Sequence, residues 1–325
     1  MKEPAPQVLA LCGGIGGAKL ALGLDRLLGP ELAVAVNTGD DFEHLGLAIS
    51  PDLDTVLYTL GGLADPERGW GRAGETWQFM TALKQLGGED WFQLGDLDLA
   101  LHVERTQWLR AGKTLSAFAA HAVRQFGIRA QVLPMSDDPV RTVVETVEGS
   151  LPFQRYFVER RYAPVVRAIR FEGATDAKPT SGLLDLIASP SLRAIVICPS
   201  NPYLSVDPIL AVPGIAAALQ TARAPVIAVS PLIGGQAVKG PTAKIMNELG
   251  LTVTNQSIAE HYRDLTDALV VDDADAADRA RIDMPVLVTR TMMRDLADRE
   301  RLAGDVLAFA DELAQPPALR VGGRK

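Results

Sequence analysis

Apolar residues recur along this chain in short unbroken runs, and between them the hydrophobic positions repeat every three to four residues. This is the alternation of buried strands with amphipathic helices. Residues 8–12, VLALC, make the first run, which turns through Gly13, Gly14, Gly16 and Gly17 into a helix predicted from about residue 18 and carried on by 20–28. A second strand is predicted at 32–36 and helices near 51–60, 77–86 and 115–126, with a strand between the last of these and Pro134. Ser50 or Asp52 is placed to cap the helix that follows it. From 141 to 171 the pattern changes to period two: TVVETVEG, RYFVERRY and VRAIRF read as β segments with no helix between them. The alternation then returns, with strands at 194–198, 226–229, 268–271 and 286–289 and helices at 209–220, 241–249 and about 299–313.

Repeated β–α alternation predicts an α/β fold, a doubly wound, mainly parallel (Rossmann-like) sheet, carrying an antiparallel β insertion or cap. Residues 1–325 are expected to form one domain, with the β-rich subdomain inserted at about 136–180 and a disordered tail at 315–325. In such a sheet the loops after the strands gather at one edge. Here they are CGGIGGAK, NTGDD, PMSDDP, CPSNPYLS and SPLIGG, all small and polar. The first is a strand–glycine–helix junction, where unpaired backbone N–H groups and the helix dipole favour an anion. It matches neither G-x-G-x-x-G nor the Walker pattern, so it indicates a phosphate without naming its carrier.

Composition narrows the chemistry. A formal net charge of −8 argues against non-specific nucleic-acid binding but leaves room for a phosphorylated small molecule with a divalent cation. No apolar run approaches the roughly 20 residues of a membrane helix, and the N-terminus lacks a signal-peptide layout, so a cytoplasmic protein is expected. Cys12 and Cys198 each close an apolar run and read as small buried residues, not zinc ligands. The densest carboxylate group is Asp40, Asp41, Asp52 and Asp54. Asp54 is the leading metal candidate, because Asp52 suits helix capping, and Asp41 is its expected partner. Asp96 and Asp98, with His102 four residues beyond Asp98, are candidates for accepting a proton from a hydroxyl nucleophile. Ser200 and Asn201 are candidate nucleotide contacts, and Lys239 and Lys244 flank a second possible anion site at a helix start. No Gly-x-Ser-x-Gly elbow is present, which argues against an acyl-transfer hydrolase.

Taken in order and at these separations, CGGIGGAK, NTGDD, AISPDLDT, LGDLDLALH, PMSDDPVRT, PSNPYLS and SPLIGG resemble the 2-phospho-L-lactate transferase (CofD) family of coenzyme F-420 biosynthesis. The resemblance runs from about residue 8 to 272. It implies a Mg²⁺-assisted phosphotransferase. The donor would be a guanosine-diphosphate-linked three-carbon acid (2-phospholactate, phosphoenolpyruvate or 3-phosphoglycerate). The acceptor would be the 5′-hydroxyl of the deazaflavin Fo, with GMP leaving. It also implies that Asp54 and Gln93 contact Fo, and Asp54, Asp96 and Asp98 are the expected catalytic residues. Nucleotide and phosphate contacts are expected from Gly13, Gly14, Gly16, Gly17, Lys19, Asn37, Ser200, Asn201, Gly234 and Gly235. LGDLD departs from the familiar LGDRD at Leu97, which bears on the identity of the donor acid. A related group of CofD-like proteins binds nucleotide sugars and regulates without catalysis. Those relatives are expected to lack the deazaflavin site around Asp54 and LGD, both of which this chain has. An NAD-dependent dehydrogenase is disfavoured by the imperfect glycine pattern. A homodimer is expected.

Overall fold

Most apolar runs become short strands buried on both faces, as unbroken hydrophobic runs do in parallel sheets covered by helices, while those at 131–134 and 286–289 are only partly buried. The computed structural model describes residues 5–238 and 240–315. In chain order the strands are β1 (Val8–Cys12), β2 (Leu32–Val36), the hairpin β3 (Phe42–His44) and β4 (Leu47–Ile49), and β5 (Gln131–Pro134). There follow β6 (Arg141–Thr146), β7 (Gly149–Pro152), β8 (Val166–Glu172), β9 (Ala194–Ile197) and β10 (Val226–Val229). The hairpin β11 (Leu232–Ile233) and β12 (Gln236–Ala237), then β13 (Ala268–Asp272) and β14 (Val286–Thr289), complete the set. Seven of them form one parallel sheet in the order β14-β13-β10-β9-β1-β2-β5. The chain starts in the middle, grows towards β5, then returns to the other side of β1. The switch point therefore falls between β1 and β9, where open α/β sheets leave a crevice for ligands.

Helices cover both faces. They are α1 (Gly14–Leu28), α2 (Pro51–Leu60), α3 (Gln78–Gln85), α4 (Asp98–Arg110), α5 (Leu115–Gln125), α6 (Leu183–Ile187), α7 (Asp207–Leu210), α8 (Ile215–Gln220), α9 (Thr242–Glu248), α10 (Asn255–His261) and α11 (Leu296–Ala314). The strand alternation sorts the core into two layers. Val8, Ala10 and Cys12 pack with Leu20, Leu24, Val56, Phe118 and Leu302 on one side. Leu9 and Leu11 pack with Ile195, Ile215, Ile245 and Ile258 on the other. No helix of the described residues is long and apolar enough to cross a membrane.

Several expected boundaries move, each for a local reason. Helix α1 begins at Gly14, not near residue 18, so the glycines form its first turn. A Cβ on Gly16 would overlap the carbonyl oxygen of Pro199, and one on Gly17 would come within 2.7 Å of the Ser200 hydroxyl, so only glycine lets helix and loop approach this closely. The expected helix at 209–220 is two, because Pro213 and a left-handed Gly214 (φ 92°) divide α7 from α8. RYFVERRY is not a strand. Arg155–Glu159 is a π-helical turn with Tyr156 buried beneath it, while β6, β7 and β8 make the antiparallel insertion in the order β7-β6-β8. Three elements were not read from the sequence: the β3–β4 and β11–β12 hairpins and α10, capped by the Thr254 hydroxyl on Ser257 N–H. Ser50 occupies the cap position of α2 without capping it, and Asp52 lies inside the first turn. Lys239 and almost all of the expected disordered tail lie outside the described residues.

Long helices α1 and α11 cross at Gly23, where a Cβ would overlap the Arg299 carbonyl oxygen and sit 3.2 Å from the Ala303 Cβ. Alanine is the better helix former by about 1 kcal/mol, so an uncrowded Gly→Ala change stabilises. Gly23→Ala is expected to do the opposite and cost about 1–3 kcal/mol of overpacking. Urea unfolding of the variant measures this, and a gain in stability would rule out the close crossing.

Candidate active site

The glycine turn and the loop after β9 are tied across the switch point. The Ser200 hydroxyl donates to the Gly13 carbonyl at 2.7 Å and lies 3.4 Å from the Gly13 N–H. Gly14 takes a left-handed φ of 65°. Asn201 accepts through Oδ1 from the N–H groups of Tyr203 and Leu204, which leaves its Nδ2 buried with no hydrogen-bond partner among the described residues. A buried donor beside a helix N-terminus suits an oxyanion.

Beside this turn lies a pool of carboxylates. Asn37, fully buried, donates to Asp52 at 2.9 Å and to Asp40 at 3.4 Å, while its Oδ1 accepts from Gly39 N–H. Asp41 accepts from the Ser50 hydroxyl through one oxygen, and its other, Oδ1, is buried without a partner among the described residues. Burial pushes Asp41 up to about 7, against the pull of Ser50 and of Arg141 and Arg105. Burial likewise takes Asp52 to about 6, although Asn37 favours its charge. Asp40 is raised well above the usual range by burial and by the charges of Asp52 and Asp41. Three buried acids that resist ionising together are a site in want of a cation.

A second group is already paired. On α4, residues 98, 102 and 105 share one face, and on α2 so do residues 54 and 58. The Arg105 guanidinium grips both oxygens of Asp54, with Nη2 at 3.0 Å from Oδ2, and its Nε donates to the Ala48 carbonyl at 3.0 Å. Arg105 Nη2 is also 2.7 Å from His102 Nδ1, and His102 Nε2 is 3.0 Å from Asp98 Oδ2. Tyr58 donates its hydroxyl to Asp98. Burial raises Asp98, but the contacts from His102 and Tyr58 outweigh it and hold the carboxyl below its ordinary value. Glu75 fixes the start of α4 by accepting from Leu97 N–H at 2.7 Å and Asp98 N–H at 2.8 Å. Ligand atoms of Asp54, Asp98 and His102 lie within 4.8 Å of one another, close enough to share one metal ion. Arg105 sits among the same atoms and competes with any such ion.

Over the unpaired acids opens a cleft of about 390 Å³ between the β3–β4 hairpin and the insertion. Its walls include Arg141, Gln154 and His44, and Arg155 stacks at 4.1 Å over Trp91.

The structure thus brings together Gly13, Gly14, Gly16, Gly17, Asn37, Asp41, Asp54, Ser200 and Asn201 around the switch point, with Asp98 on the paired group. Other expected residues go elsewhere. Asp96 accepts from the Thr76 hydroxyl and from Gln78 and Phe79 N–H, so it caps α3. Gln93 is exposed and donates to the Asp90 carbonyl at 2.7 Å. Lys19 points back to the Met293 carbonyl at 3.2 Å. Gly234 and Gly235 turn the β11–β12 hairpin, and their N–H groups both donate to Asp275 at 2.9 Å. They are engaged, not open to a diphosphate. Lys244 pairs with Glu248. At Gly234, Gly235 and Lys244 the chain's own acids therefore take the place expected for an anion. Arg105, Tyr58, Glu75 and Gln154 carry the site without having been singled out for it. Only Arg105 left a signal, a cation at helical spacing from Asp98 and His102.

A model of the family described as 2-phospho-L-lactate transferase CofD matches residues 8–309. A phosphoenolpyruvate transferase of Kitasatospora aureofaciens is 41% identical over 318 residues, covering 94% of this chain and 98% of that protein. A 2-phospho-L-lactate transferase of Methanopyrus kandleri is 40% identical over 313 residues, with the same two coverages of 94% and 98%. Among solved structures, BH3568 of Bacillus halodurans, a member of the upf0052 family, aligns with a TM-score of 0.58 at 17% identity over 94% of this chain and 99% of that one. That likeness is one of fold.

Asp41 and Asp52 set a pH dependence whose sign follows from their direction of shift. A carboxyl raised in the folded state stabilises while protonated; the contribution is complete below the unfolded value near 4 and is lost as pH rises through about 6 to 7. Chelator-treated Asp41→Asn protein should therefore be more stable than the parent at about pH 8, with the difference fading towards about pH 5. Thermal melts across that range read it, and a difference independent of pH would refute the assignment.

Proposed function

The chain belongs to the 2-phospho-L-lactate transferase CofD family, and from that premise we propose its reaction and the residues that carry it. It is a transferase of coenzyme F-420 biosynthesis. We infer that the acceptor is Fo and that its ribityl 5′-hydroxyl attacks the phosphorus bearing a three-carbon acid in a guanosine-diphosphate-linked donor, so that GMP leaves. The observation that supports this most is the meeting of the glycine turn, the Asn201 amide (unpartnered among the described residues) and the raised buried acids at one switch point.

The work of such a transfer is positioning and charge neutralisation, with little covalent chemistry for the protein. The first turn of α1 and the Ser200–Asn201 loop supply backbone and amide donors for the diphosphate. Asp54, at the start of α2, contacts the acceptor and orients its hydroxyl. Asp96 is occupied as a cap and Asp98 is held down by His102 and Tyr58, so neither is left free to accept the proton. Gln93, exposed on the loop that leads into α4, would be the second contact to Fo.

The buried acids fit Mg²⁺: Asp41 offers a buried oxygen without a partner among the described residues, and Asp40 beside it is pushed up by burial and then by like charge. Asp41 and Asp40 would hold the ion. When bound, Mg²⁺ supplies charge neutralisation on the phosphate oxygens. Identities of 41% and 40% to relatives named for two different acids do not separate the donors, so the assay must. The homodimer remains part of the proposal and is read by light scattering.

Purified protein with Fo, Mg²⁺ and the guanosine-diphosphate-linked lactate, enolpyruvate or glycerate, offered separately, should form one phosphodiester product, identified by mass spectrometry. Failure with all three donors would overturn the proposed reaction.

A further inference from the structure

Arg105 is the bulkiest of the fully buried side chains, a cation with no access to water and therefore none to a substrate. Its contacts fix more than an ion pair. A guanidinium only donates, so His102 Nδ1, 2.7 Å from Nη2, must be the acceptor. The proton of a neutral imidazole then lies on Nε2, which is 3.0 Å from Asp98 Oδ2 but not aligned for a regular hydrogen bond. Asp98 is in turn anchored by the Tyr58 hydroxyl and, through its own N–H, by Glu75. The Ala48 carbonyl takes the remaining edge of Arg105, and the Phe118 ring lies 5.7 Å from the centre of the guanidinium. Every atom around the guanidinium is thus directed, and the one group it holds by two bonds is Asp54.

We propose that Arg105, oriented by neutral His102, is the positioning residue that locks Asp54 in a single orientation towards the acceptor's hydroxyl. The proposal rests on the reading that Asp54 touches Fo. It gives His102 the work of a hydrogen-bond acceptor, not of an acid or base, although a buried histidine beside two aspartates invites the other reading. It also explains why a fork-shaped cation stands here: two parallel bonds fix the plane of a carboxylate, which a lysine's single ammonium does not.

Two measurements test it. In the full-length protein labelled with ¹⁵N-histidine, the His102 signal, identified by its loss in His102→Gln, should show a bare Nδ1 and a protonated Nε2; a protonated Nδ1 would overturn the proposal without any kinetic variant. In the transfer assay Arg105→Met should lose about 100-fold in kcat, the scale of a misplaced reacting group, with KM for the donor little changed. Arg105→Lys should recover part of that loss. Rates are taken per folded molecule, counted by thermal unfolding, and an unchanged kcat in Arg105→Met would leave Arg105 a purely structural residue. Asp54→Asn, run alongside, separates the two ideas. If it binds and turns over Fo like the parent, the underlying reading of Asp54 falls. If it fails while Arg105→Met keeps its kcat, only the Arg105 assignment falls.

Discussion

Several carboxylates are buried together at one end of a parallel sheet, and much else in this molecule follows from that constraint. Asp40, Asp41, Asp52 and Asp54 all lie under 10% exposed within fifteen positions of one another. Desolvation alone disfavours each charge, and mutual repulsion adds to it. The chain answers with two devices. A fully buried arginine neutralises Asp54, and the Asn37 amide bridges Asp40 and Asp52. Neither is placed by its own element alone. Arg105 reaches its partner because Glu75 pins the start of α4 and Ala48 of β4 receives the guanidinium's edge.

The topology decides where this acid pool meets an anion site. Because the chain reverses direction of growth at β1, the loop after β9 comes back against the loop after β1, and the loop after β2 lies alongside. Glycine makes that contact workable: a methyl group on Gly13 would press on the Asp52 carboxylate at 2.8 Å as well as on Ser205. The same backbone that opens donors to a phosphate thus brings those donors next to negative side chains. Opposite needs are set side by side, which is the arrangement a phosphate–cation pair satisfies.

The parallel sheet, the switch in hydrophobic period at the insertion and most of the strand-end loops were legible because they are written in local periodicity. Asp41, Asp54 and Ser200 were legible as members of short polar motifs at strand ends. What the sequence concealed was tertiary. Gly234 and Gly235 look like open phosphate donors until Asp275, some forty residues on, is seen to accept from both. Asp96 and Asp98 look equivalent two positions apart, yet one faces the start of α3 and the other the interior between α2 and α4. RYFVERRY has the alternation of a strand, but Phe153 and Phe157, with ring centroids 5.3 Å apart, stack along a helical turn. Periodicity cannot tell which partner will arrive from elsewhere in the chain.

The acids at this site divide by environment. Asp98 is surrounded by donors and held below its ordinary value, while Asp40, Asp41 and Asp52 are raised by burial. Groups whose surroundings push them apart in this way take different roles. An acid already satisfied by tyrosine and histidine has nothing to gain from a cation and serves as an anchor. An acid with a bare buried oxygen gains most from one. Asp54 stands between the two sets: Arg105 holds both its oxygens, and its charge adds to the effects that raise Asp40 and Asp41. That placement joins the side-chain network of α2 and α4 to the pool of raised acids.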